Sequence, residues 1–88
     1  VFWGTVCNVY KGNVLDVEIE RIEKTSDYHY DRRERVQIEG PSAPELSTEE
    51  GQEARREAER IWLGRKVRVE PRARVRYGWL VSRVSLDE

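Results

Sequence analysis

Residues 46–64 read "LSTEEGQEARREAERIWLG", the one stretch of the chain with the marks of a helix. Ser47 followed three residues later by Glu50 makes an S-x-x-E capping box, whose side chains satisfy amides that a helix start leaves unpaired. Ala54, Ala58, Ile61 and Trp62 form a narrow apolar stripe to turn inward, and Gly64 marks the stop. Glu49, Glu50 and Glu53 suit the positive end of the helix dipole and read as a solvated face, not as catalytic acids. What flanks this helix decides the architecture.

Upstream, Phe2 to Tyr10 reads as a first strand, and "YKGN" turns the chain through Gly12. Leu15, Val17 and Ile19 then alternate with Asp16, Glu18 and Glu20, the pattern of a half-exposed strand. "EKTSDYHYDR" reads as an extended hairpin, and Arg35 to Glu39 as a third strand that breaks at Gly40-Pro41. Downstream, Lys66 to Glu70 reads as a fourth strand, with a turn at Pro71 and a fifth strand from Tyr77 to Leu86. The order β-β-β-α-β-β predicts a mainly β chain with one helix: a five-stranded Greek-key barrel of the OB-fold type, whose closure removes exposed sheet edges.

A chain of 88 residues makes one domain spanning 1–88. At that size about 60–65% of the surface is buried on folding, so the fold must be compact. Apolar and charged residues each make up 38% of the chain, and the charges are interleaved with strands, which points to a globular domain and not to disorder. No run approaches the roughly 20 apolar residues of a membrane span, and none resembles a signal peptide, so no membrane role is expected; the localisation is left open, with the cytoplasm favoured. Val1 stands where an initiator methionine would, so the natural chain is expected to begin earlier. The lone Cys7 reads as a small buried hydrophobe, and the lone His29 as a solvated hairpin residue, which leaves neither a disulfide nor a cysteine-based metal cluster.

Net charge is −1, unevenly spread: residues 1–40 carry −2, 41–64 carry −3 and 65–88 carry +4. Arg65, Lys66, Arg68, Arg72, Arg74 and Arg76 crowd into twelve residues. That segment is either a surface for a polyanion or a pair of strands with solvated outer faces.

Four stretches, in order, carry a family likeness. "VYKGNVLDV", "VQIEGPSAPE", "GQEA" and "YGWL" resemble V-x-D-G-D-T-L-x-V, V-R-L-I-G-I-D-A-P-E, G-x-E-A and Y-G-R of the staphylococcal-nuclease (thermonuclease-like) family, over nearly the whole chain. The resemblance implies a metal-dependent hydrolase of nucleic-acid phosphodiesters, and the departures from the pattern fall on its chemistry. The family's two calcium-binding aspartates correspond to Asn13 and Ser42, and its two phosphate-clamping arginines to Gln37 and Trp79. Neutral ligands weaken a calcium site, and without the arginines nothing offsets the charge that develops on a phosphoryl group. Glu45, matching the family's water-activating carboxylate, is the only catalytic position retained. Arg76 and Tyr77 match a lysine and a tyrosine that contact a terminal phosphate in the family.

The expectation is a catalytically degenerate nuclease-like domain that binds nucleic acid or another polyanion through Arg72, Arg74, Arg76 and Tyr77. Its expected partner is a single strand, with no metal or cofactor. Trp79 is expected to plug the former arginine pocket beside Gln37. One alternative is a protein-protein adaptor in a longer chain, for which the modest net charge leaves room. The other is a residual nuclease using Glu45, with calcium or another metal held through Asp16 or Glu39. The family's C-terminal helices have no counterpart after "VSLDE", which would leave one barrel flank uncovered and open to a partner.

Overall fold

Alternating apolar residues in five short segments can all face one interior only if the sheet curls on itself. In a computed structural model, which describes residues 1–24, 29–40, 42–75 and 77–87, they do so. The elements are β1 (Phe2–Lys11), β2 (Val14–Ile22), β3 (Arg33–Ile38), α1 (Glu49–Trp62), β4 (Lys66–Arg74) and β5 (Leu80–Leu86). They close into a barrel in the order β1-β2-β3-β5-β4, antiparallel except for the β3–β5 pair. That connectivity, with α1 between β3 and β4, is the OB barrel expected from the sequence.

Phe2, Val6 and Val9 of β1, Leu15 and Val17 of β2, Val36 of β3, Val67 and Val69 of β4 and Leu80 of β5 fill the interior. Register shifts in the β1–β2 pairing, between Trp3 and Gly4, Val6 and Asn8, and Val9 and Lys11, coil these long strands around the core. The helix packs against β1 and the core through Ala58, which is buried, and Trp62; Ile61, expected in the inward stripe, is instead 42% exposed. Arg55 ties the helix to β1 by donating from Nε to the carbonyl of Val9 at 3.0 Å. No helix among the described residues is long and apolar enough to cross a membrane.

Two local expectations are corrected. The N-cap is Thr48, not Ser47: its Oγ1 accepts the Gly51 amide at 3.0 Å, and the Thr48 amide and hydroxyl both donate to the carbonyl of Glu45. This turn over residues 45–48 moves the helix start one residue along. Pro71 does not turn the chain. It sits within β4 opposite Ser82, at an irregularity between Pro71 and Ala73, where a missing amide hydrogen costs the ladder little. The reversal comes instead between Val75 and Trp79, so Tyr77 and Trp79 lie in the β4–β5 turn and not in β5.

Candidate functional site

Asn8, Asp16 and Arg35 share a row across β1, β2 and β3, since Asn8 pairs with Asp16 and Asp16 with Arg35. All three have the outward parity. The carboxylate of Asp16 accepts from Arg35 Nε at 2.8 Å and Nη2 at 3.2 Å, and from Asn8 Nδ2 at 3.0 Å. Burial works to raise the Asp16 pKa, but the hydrogen bonds from Arg35 and Asn8 and the charges of Arg35 and Arg33 outweigh it and hold the group below the ordinary aspartate value. The same contact, opposed in part by burial, raises the pKa of Arg35.

Above this row lies an aromatic cluster. The Arg35 guanidinium stands 4.2 Å from the centroid of Tyr10 and 5.7 Å from that of Trp79. Trp79 meets Tyr10 edge to face at 5.6 Å and Tyr77 at 4.6 Å. Tyr10 comes from the end of β1, beside the β1–β2 turn, while Tyr77 and Trp79 come from the β4–β5 turn. These are the two loops that flank the ligand face of OB barrels. Tyr77 is 64% exposed and Tyr10 36%, so the cluster is open to solvent. The turn that carries Tyr77 and Trp79 is closed by Gly78 N to Val75 O at 2.8 Å and Val75 N to Trp79 O at 2.9 Å, with Gly78 at φ +95°.

The positions matched to the nuclease motifs fall on adjoining segments, since a Cβ at Gly12, next to Asn13, would come 3.1 Å from the side chain of Ala43, next to Ser42. Asn13 and Gln37 are neighbours: the carbonyl of Asn13 accepts the Ile38 amide at 2.7 Å, and Gln37 pairs with Val14. The Asn13 Oδ1 is buried and lacks a hydrogen-bond partner. Ser42 and Glu45 are exposed on the segment leading into α1, and no group of three potential metal ligands occurs among the described residues. Trp79 is half-buried; its ring partners among the described residues are Tyr10, Tyr77 and Arg35, which makes it part of a surface cluster. The carboxylates weighed as substitutes for the metal ligands are engaged elsewhere, Asp16 with Arg35 and Glu39 with Arg72 at 3.6 Å.

The basic segment is largely paired with acids. Lys66 meets Glu20 at 2.8 Å, Arg68 meets Glu70 at 2.9 Å, and Arg74 meets Glu34 at 3.2 Å. Hydrogen bonds from Lys66 and Arg68 keep the exposed Glu20 and the half-buried Glu70 below the ordinary glutamate pKa. Arg76 lies outside the described residues. Sequence reasoning passed over Tyr10, Asn8 and Arg35. Their outward parity was readable, but the register that lines them up beside Trp79 was not.

No family model, curated protein or solved structure matches this chain. The likeness to the staphylococcal-nuclease family therefore rests on its four short motifs alone.

Proposed function

We propose that this domain binds single-stranded nucleic acid by stacking bases on Tyr77, Trp79 and Tyr10, and that it is a degenerate nuclease-like module without hydrolytic activity. The observation that carries the reading is the solvent-open aromatic cluster between the β1–β2 and β4–β5 turns, with the Arg35 cation among its rings. Aromatic faces accept any base, and the Arg35 guanidinium, held by Asp16, adds a flat cationic plane beside them. The paired state of Lys66, Arg68, Arg72 and Arg74 shifts the weight of binding from the basic strand to the rings. Asn13, Ser42, Gln37 and Trp79 offer neither anionic metal ligands nor cations for a phosphoryl group, which supports a module without hydrolysis.

The test is a titration with a fluorescent oligothymidylate at two salt concentrations, comparing the parent protein with Tyr77→Ala. Tyr77 is the most exposed of the three rings, so its removal spares the core. A stacked base contributes roughly 1–3 kcal/mol, so affinity is expected to fall about fivefold or more. Equal affinities for the two proteins, or no binding at low salt, would reject the stacking reading and favour a protein-protein adaptor.

A further inference from the structure

Arg74 belongs by sequence to the basic segment, yet its side chain is committed to three separate parts of the chain. Nη1 donates to the carbonyl of Gly78 at 2.8 Å and to Glu34 Oε1 at 3.2 Å. Nη2 donates to the carbonyl of His29 at 3.1 Å and approaches Glu34 Oε2 at 3.5 Å. Glu34 is 4% exposed, and its Oε2 also accepts the Asp31 amide at 2.7 Å. One planar guanidinium thus joins a buried carboxylate on β3, the segment entering β3, and the turn that carries Tyr77 and Trp79.

We propose that Arg74 is the positioning residue of the aromatic site: its fork, anchored on the Glu34 carboxylate, holds the β4–β5 turn so that Tyr77 and Trp79 stand beside Tyr10. Arg74 makes no phosphate contact. The chemistry requires arginine, because donors on two nitrogens of one rigid plane must reach a carboxylate and two carbonyls together, and the single ammonium of lysine cannot. The carboxylate is equally required: with the cation drawn to it from β3, the nitrogen facing Gly78 is fixed. The binding consequence rests on the stacking function proposed above, whereas the setting of the turn does not depend on it.

Two variants, Arg74→Lys and Glu34→Gln, separate positioning from charge, and either carries the comparison if the other fails to fold. Arg74→Lys keeps the cation, and Glu34→Gln frees Arg74 from its anion. A phosphate-contacting Arg74 would therefore bind oligothymidylate about as well after the first change, and more tightly with a steeper salt slope after the second. Positioning predicts the opposite: each variant binds about fivefold more weakly, the value of one lost stack, with the salt slope unchanged. Each also loses the part of the near-ultraviolet circular dichroism that Trp79→Phe identifies as belonging to the cluster. Wild-type-like binding by Arg74→Lys, or a gain in affinity and slope for Glu34→Gln, overturns the proposal. If the parent protein binds no oligonucleotide, the stacking function fails by itself. The dichroism then decides the latch, and an unchanged signal in the folded variants refutes it.

Discussion

Asp16 has the outward parity of β2 and is still only 7% exposed, because Arg35 and Asn8 close over it from the neighbouring strands. Its pKa is lowered in the folded protein, so the unfolded chain binds a proton there more readily than the native one. The stability that this difference provides is complete above the ordinary aspartate pKa of about 4 and disappears as pH falls through the lowered native value. Arg35 stays charged throughout. The expected outcome for Asp16→Asn is a lower Tm than the parent at pH 7, with the gap narrowing steadily below about pH 4. Melting curves for the two proteins between neutral and strongly acid pH check this, and a gap independent of pH would mean that the ion pair contributes nothing beyond shape. The same residue shows why an acid on a strand is ambiguous in sequence. Its parity placed it outward, as a possible metal ligand, but whether it was free or committed depended on two residues from other strands.

At the scale of elements, α1 inverts an ordinary rule. Alanine is about 1 kcal/mol better than glycine inside a helix, so a sequence reader would substitute Gly51 with confidence. In this fold a Cβ at Gly51 would lie 1.8 Å from the carbonyl oxygen of Glu45, because the turn before the helix folds back onto its first residues. Backbone cannot yield as a side chain can. Gly51→Ala is therefore expected to lower the midpoint of urea unfolding, while Arg56→Ala, on the exposed face of the same helix, leaves it nearly unchanged. A stabilised Gly51→Ala would show that the turn is not packed on the helix as described. Thr48→Ala removes the cap acceptor and should cost about 1 kcal/mol, measured on the same curves. The cap itself was legible to within one residue, since Ser47 and Thr48 are both competent. The choice between them lay in the carbonyl of Glu45, a partner that no capping pattern includes.

Taken whole, the molecule balances its charge across strands. The +4 of residues 65–88 is met by acids of other segments, Glu20, Glu34 and Glu39 among them, so a basic stretch of chain does not become a basic face of comparable strength. The positions matched to calcium ligands, Asn13 in the β1–β2 turn and Ser42 before α1, lie on adjoining segments, since a Cβ at Gly12 would come 3.1 Å from the Ala43 side chain, but neither carries a carboxylate. A cation that binds the native state raises stability by RT ln(1 + [L]/Kd), so millimolar calcium is expected to leave the Tm where it is. No cleavage of single-stranded DNA above a chelated control is expected in the same buffer. A calcium-dependent rise in Tm, or cleavage abolished by Glu45→Gln, would restore the residual-nuclease alternative.

The number and order of the strands, the single helix between the third and fourth, and the parity of nearly every core residue follow from the sequence alone, because burial on one face imprints period two on a strand and period near 3.6 on a helix. Phe2, Val6, Leu15, Val17, Val36, Val67, Val69 and Leu80 are apolar for that reason. Motif likeness pointed to Trp79 as a position of interest, and in the fold its ring neighbours are Tyr10 and Tyr77. What the tertiary structure alone decided is register and pairing. It brought Tyr10 beside Trp79 across the two turns, seated Arg35 on Asp16, and turned Arg74 inward to Glu34. Periodicity records which face a residue occupies, but not which residue of a distant strand stands opposite. Charged and aromatic side chains on an outer face take their roles from that opposite neighbour.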